Sequence, residues 1–161
     1  MKKYIAILMI VFLLPFAVAE VGVANPWTDT TREGMMEAIG LTLGVPEGAT
    51  NVTWRMMKDP QMGELQFTWY GEDYTARVAP AEVFEDISGL YYEWDQEAAC
   101  AVGRCEGVTR RAHAEGETVD VCLWYDALTG LMYSVSAAAP DLDGFDILAA
   151  AEQVYVPMQT E

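Results

Sequence analysis

A chain of 161 residues with 25 acidic and 9 basic side chains carries a formal charge of −16. That charge repels phosphate backbones and anionic lipid surfaces, which excludes nucleic-acid binding. Hydrophobic residues make up 52% of the chain, with five Trp and eight Tyr, so disorder is excluded as well and one folded core is expected.

The N-terminus reads Met1-Lys2-Lys3, then an apolar stretch to Phe16, then Ala17-Val18-Ala19 before Glu20. A positive start, an apolar middle and a small-x-small triplet form a secretory signal peptide. The apolar stretch falls short of the ~20 residues that cross a bilayer, so a retained membrane helix is disfavoured. Residues 1–19 are therefore expected to be cleaved and the rest secreted, with no stable membrane insertion. Cleavage removes two lysines and no acids, leaving 7 basic against 25 acidic residues and a charge of −18. Such an excess reads as a solvated acidic surface, with cationic partners or divalent ions as the alternative. Residues 20–27 form an extended leader, 28–157 a single domain and 158–161 a tail.

Thr28-Asp29-Thr30-Thr31 offers N-caps, and Met35, Met36 and Ile39 share a helical stripe ended by Gly40, which predicts a helix over 29–39. After Pro46-Glu47-Gly48 the period changes to two. Val52, Trp54 and Met56 mark one strand, and Asp59 to Gly63 a turn. Leu65, Phe67 and Trp69 face one way, and Gly71-Glu72-Asp73 reverses the chain into Tyr74–Val78, a hairpin that ends at Pro80. Residues 81–86 predict one helical turn with Val83, Phe84 and Ile87 inward, and Leu90–Trp94 a strand. Short strands are expected near 99–104 and 107–114. Glu115-Gly116-Glu117 turns into an alternating strand of Val119, Val121, Leu123 and Tyr125, and Leu131, Tyr133 and Val135 form the last. Asp143 or Asp146 caps a closing helix to about Tyr155. The fold class expected is α+β: a bent antiparallel sheet of six to eight strands, with an N-terminal and a C-terminal helix packed on one face. The two Trp-Tyr hairpins echo each other, Trp69 matching Trp124 and Tyr74 matching Tyr133.

Three cysteines in an exported chain allow one disulfide. Cys105–Cys122 is favoured over the other two pairings because it staples two sheet segments. A turn at 115–116 sets Cys122 opposite Thr109, however, so a bend at Gly107 must bring Cys105 back within reach. His113 is the only histidine and reads as a surface residue. Asp141 to Asp146 resembles a fragment of a calcium loop, but Ala139 and Ala150 occupy its first and twelfth positions, and a helix cap explains the acids. GxSxG, HExxH, GxGxxG and CxxC are absent, so no catalytic residue, metal or cofactor is expected.

Alternation forbids both Trp69 and Tyr70, or both Trp124 and Tyr125, from facing one side of the sheet. These four residues are the binding-surface candidates. The run Gly40-Leu41 to Val45-Pro46-Glu47, the Trp-Tyr…Tyr-Thr/Ser hairpins and Ala149 to Tyr155 resemble small exported bacterial α+β domains of unknown function, some found as extracellular tails of anti-sigma-factor-like proteins. The resemblance covers about residues 28–157 and implies the fold, with no catalytic residues to transfer. The function expected is a non-catalytic binding or interaction domain for a protein, peptide or cell-envelope component. The alternative is a small extracellular hydrolase using carboxylates or a divalent ion.

Overall fold

The computed structural model describes residues 25–142 and 145–157. The expected signal segment 1–19, most of the leader, Asp143 and the tail 158–161 lie outside them. Strands β1 (Thr28–Thr30), β2 (Thr50–Lys58), β3 (Gln61–Trp69), β4 (Glu72–Pro80), β5 (Gln96–Val102), β6 (Cys105–Ala114), β7 (Glu117–Asp126) and β8 (Leu131–Ala139) form one open antiparallel sheet. Their order is β1-β2-β3-β4-β8-β7-β6-β5. Two four-stranded meanders therefore meet at a central β4–β8 seam, where Tyr74 pairs with Ala137 and Pro80 with Leu131. Helices α1 (Arg32–Ile39) and α2 (Ile147–Val154) have only eight residues each, so helix is a minor part of this strand-rich fold.

The two-residue period decides which face each strand residue covers. Leu65, Phe67, Tyr74, Ala76, Val78, Cys122, Trp124, Tyr133 and Val135 point to one face, where Met35 and Ile39 of α1 and Ala150, Ala151 and Val154 of α2 complete the main core. Gly40 ends α1 in the left-handed region (φ 70°) with its N–H on the Met36 carbonyl, a conformation that costs glycine little. Asp146 caps α2 by accepting from the N–H groups of Leu148 and Ala149.

The opposite face differs between the two halves. Under β7 and β8, Val121, Leu123 and Met132 form an aliphatic cluster. Residues 81–95 run across it as an irregular strap that contributes Ile87, Leu90 and Trp94. Arg77 holds this strap through the carbonyls of Ile87 and Ser88, and Tyr125 does so through those of Ala81 and Glu82. On the β2–β3–β4 half the same face carries Glu64, wholly buried between Arg55 and Arg77. Arg55 Nε lies 3.0 Å from Glu64 Oε1, Arg77 Nε lies 2.9 Å from Oε2, and Trp27 covers both guanidinium groups at 5.3 and 5.4 Å.

Four local expectations are corrected. Residues 29 and 30 are not helical: Thr28-Asp29-Thr30, with two β-branched threonines, pairs with Met56 to Trp54 on β2, and Thr31 caps α1, accepting from Gly34 N–H. Met36 is largely exposed, because α1 turns only Met35 and Ile39 to the core. Residues 81–86 form no helical turn, and Val83 and Phe84 face outward while Ile87 is buried. Residues 90–94 form no strand, since the strap uses its apolar residues singly to cover a cluster.

Candidate functional site

The four aromatic candidates do not share one surface. Trp69 and Tyr70 stand at the end of the sheet where β3 turns into β4, whereas Trp124 and Tyr125 stand at the opposite end, beside the β7–β8 turn. Trp124 is wholly buried, stacked on Tyr133 at 5.2 Å. Tyr125 lies on the strap face with its hydroxyl donating to two strap carbonyls. Trp124 therefore offers no surface, and Tyr125 is half-buried against the strap. Tyr70, in contrast, is 88% exposed in the two-residue turn Tyr70-Gly71, with its ring 4.6 Å from that of Trp69. The Trp69 indole N–H donates to the Glu47 carbonyl at 3.0 Å, which fixes the ring without burying it.

Register explains what gathers there. The tight turn sets Trp69 opposite Glu72 and Phe67 opposite Tyr74. Tyr74 lies parallel to Phe67 at 4.9 Å, stacks on Phe145 at 5.5 Å and meets Trp69 edge-on at 6.1 Å. Trp69, Tyr70, Tyr74, Phe145 and Leu142 thus line a cleft of about 370 Å³, joined by the carboxyl groups of Glu72, Asp141 and Asp146. No Arg, Lys or His is among its lining residues. Tyr74 is only 4% exposed, yet its hydroxyl makes no hydrogen bond to any described residue. Burial, and then the charge of Glu72, push this phenol up to about 12, so it remains protonated at neutral pH.

Tyr74 and Phe145 were not singled out in the sequence. The signal for Tyr74 was its place in the hairpin: a two-residue turn after Trp69 puts it across from Phe67 and beside Trp69. Phe145 carried no such signal, because it precedes the α2 cap and belongs to no periodic run.

The cysteines do not form the favoured pair. Cys122 does sit opposite Thr109, but β6 is paired residue by residue from Gly107 to Ala114, and Cys105 stays four positions away. All three are free thiols. Cys105 donates to Tyr155 Oη at 3.3 Å, and Tyr155 in turn donates to Asp126 Oδ2 at 2.8 Å. Cys122 instead faces Cys100, Sγ to Sγ 3.8 Å. These two occupy strands on either side of β6, roughly 9–10 Å apart, beyond the ~4.4–6.8 Å Cα span of a disulfide. Gly107 makes the approach possible, since a Cβ there would lie 3.2 Å from Cys100 Sγ and 2.5 Å from the Leu123 carbonyl. Burial pushes the Cys122 thiol well above its ordinary range.

A larger cleft of about 460 Å³ lies beside Cys100 and the start of α2, but its charged groups are engaged within the protein. Arg111 grips Asp120 with two bonds of 2.6 Å, Arg110 meets Glu97 at 2.7 Å, and Asp146 caps α2. His113 is on the surface, its Nδ1 2.9 Å from Asp95 Oδ2. Hydrogen bonds from His113 hold the Asp95 carboxyl below its ordinary value. Among the described residues no three His, Cys, Asp or Glu side chains are arranged to hold a metal ion, and no helix is long and apolar enough to cross a membrane. Comparison with protein-family models, with curated proteins and with solved structures gave no match.

Proposed function

We propose that this chain is an exported, non-catalytic α+β domain that binds a protein, peptide or cell-envelope component through the aromatic cleft at the β3–β4 end of the sheet. The observation that carries this reading is Tyr70, exposed on a rigid two-residue turn beside a partly covered Trp69. An aromatic ring 88% exposed gains little for folding there, whereas Tyr and Trp side chains held against each other on a tight turn lose little entropy on meeting a partner. Export rests on the N-terminal pattern Met1-Lys2-Lys3 to Ala17-Val18-Ala19. The resemblance to exported bacterial domains rests on the hairpin and helix motifs and belongs to the same proposal.

Affinity capture from the protein's own culture, run in parallel with wild type and Tyr70→Ala, tests the reading. Support is a partner retained by the wild type and lost by an equally folded variant. Equal capture by both would move the surface elsewhere. Capture by neither, together with a rise of several degrees in melting temperature on adding calcium or magnesium, would replace this reading with the metal-dependent alternative.

A further inference from the structure

We infer that the cleft receives a basic side chain of a partner peptide, its cationic head over the rings of Trp69 and Tyr70 and one of its N–H groups donating to the Tyr74 hydroxyl. This deepens the binding proposal above and rests on it. Three features select the ligand class. First, the walls are aromatic faces, which attract a cation through the ring quadrupole. The same chemistry operates on the other side of the sheet, where Trp27 covers Arg55 and Arg77. Second, the charged groups of the lining are Glu72, Asp141 and Asp146, all acidic, so an anion is repelled and a cation drawn in.

Third, the Tyr74 hydroxyl lies at 4% residue exposure without a hydrogen-bond partner among the described residues. The oxygen itself keeps some solvent contact, so a ligand that covers it without a hydrogen bond strips it of water at a cost, whereas a ligand N–H replaces that water. An apolar ligand would leave this oxygen unpaired. A quaternary ammonium, with no N–H to give, would do the same. The hydroxyl therefore favours guanidinium and primary ammonium groups over both. The opening at the tip of the sheet lets a side chain enter while the peptide backbone runs past Tyr70.

The test is a titration of the isotope-labelled protein, followed by NMR at the Trp69 indole and Tyr74 ring, with three probes. These are a short Gly/Arg peptide, its citrulline counterpart and tetramethylammonium. The arginine peptide is expected to shift both signals saturably and to bind at least about ten-fold more tightly than the uncharged citrulline isostere. Tetramethylammonium should shift Trp69 only weakly. Tyr74→Phe keeps the stacked ring and removes one oxygen, so it should fold normally and weaken the arginine peptide about five-fold. Glu72→Gln should also weaken it and flatten its salt dependence. Equal binding of the arginine and citrulline peptides would overturn the cationic assignment while leaving a binding cleft. No shift at Trp69 or Tyr74 with any probe would overturn it too, and the capture experiment with Tyr70→Ala then decides whether the binding reading falls with it.

Discussion

At the β7–β8 end, Trp124 and Tyr133 lie parallel at 5.2 Å, and Tyr155 from the end of α2 closes over both rings edge-on at 6.2 and 5.4 Å. Its hydroxyl donates to Asp126, which also takes Arg104 at 2.9 Å, so the Tyr155 hydroxyl is paired within the protein, while the buried Trp124 Nε1 has no hydrogen-bond partner among the described residues. At the β3–β4 end, Phe67 and Tyr74 repeat the parallel stack at 4.9 Å, but Phe145 offers no polar group and the Tyr74 hydroxyl is left facing a cleft. The same cross-strand device is sealed in one hairpin and open in the other. The faces behind them differ in the opposite sense: aliphatic packing under β7–β8, an ion network under β3–β4. A repeated structural unit can thus hold a fold together at one end and present chemistry at the other, according to which side chain flanking α2 packs on it, Tyr155 after the helix or Phe145 before it.

The sharpest way to break this comparison is truncation at the two ends. Trp124→Ala should lower the unfolding free energy by about 3–5 kcal/mol, whereas Tyr70→Ala should stay within about 0.5 kcal/mol, both read from urea denaturation. Similar losses would mean that the open end is structural after all. Glu64→Gln comes next: it strips two guanidinium groups of their buried partner. A loss of about 2–3 kcal/mol is expected, less than the ~3–5 kcal/mol of a wholly buried pair because both arginines keep some solvent contact. A change below about 0.5 kcal/mol in the same assay would show that the first half does not depend on its ion network.

Acid sensitivity sharpens the contrast further. Desolvation pushes the Asp126 carboxyl upward, but hydrogen bonds from Arg104, Tyr155 and the Leu128 N–H outweigh it and leave the group below the ordinary carboxylate range. The unfolded chain therefore binds this proton first. Stability linked to Asp126 is complete above the unfolded value near ~4 and is lost as the pH falls through the lower folded value. Melting temperatures measured from pH 5 downward should fall less steeply in Asp126→Asn than in the wild type, and parallel curves would remove Asp126 from the account. The smallest effect concerns thiols. Cys100, half-buried at the rim of the cleft beside α2, should react with a thiol reagent in the native state, while Cys105 and Cys122 wait for denaturant because they are buried. Burial raises the pKa of all three, so access and not acidity separates them. Three native-state equivalents would show that the core opens more readily than its packing implies.

Strands β2, β3, β4, β7 and β8 were legible because their apolar side chains recur every second residue, which survives without knowledge of the partner strands. The Val121–Leu123–Tyr125 series of β7 nevertheless faces the strap while Cys122 and Trp124 face the main core, and β5 shows no such alternation. The strap was not, since Ile87, Leu90 and Trp94 each cover the Val121 cluster singly and share no period. The hairpin echo was visible but misaligned by two residues. Trp69 resembles Trp124 by type, whereas the register makes Phe67 its counterpart, each stacked on the tyrosine across the ladder. Of the site itself, Trp69 and Tyr70 were readable from the alternation argument. Tyr74 looked like any core aromatic, because an unpaired hydroxyl is a property of the neighbours and not of the residue.

The order of the strands also bears on how the chain finds its fold. Within each meander every strand pairs with one adjacent in sequence, so β1–β4 and β5–β8 can form from local contacts. The β4–β8 seam alone joins distant stretches, Pro80 to Leu131 and Tyr74 to Ala137. Long-range closure entropy is concentrated in that single step, which sets the seam as the slow event in folding. The strap spans the sequence gap while covering the Val121 cluster on one side of the seam and hydrogen-bonding to Arg77 on the other. Its length therefore follows from the width of sheet it must cross, and a break within residues 81–95 would loosen the joint between two halves that are each locally paired.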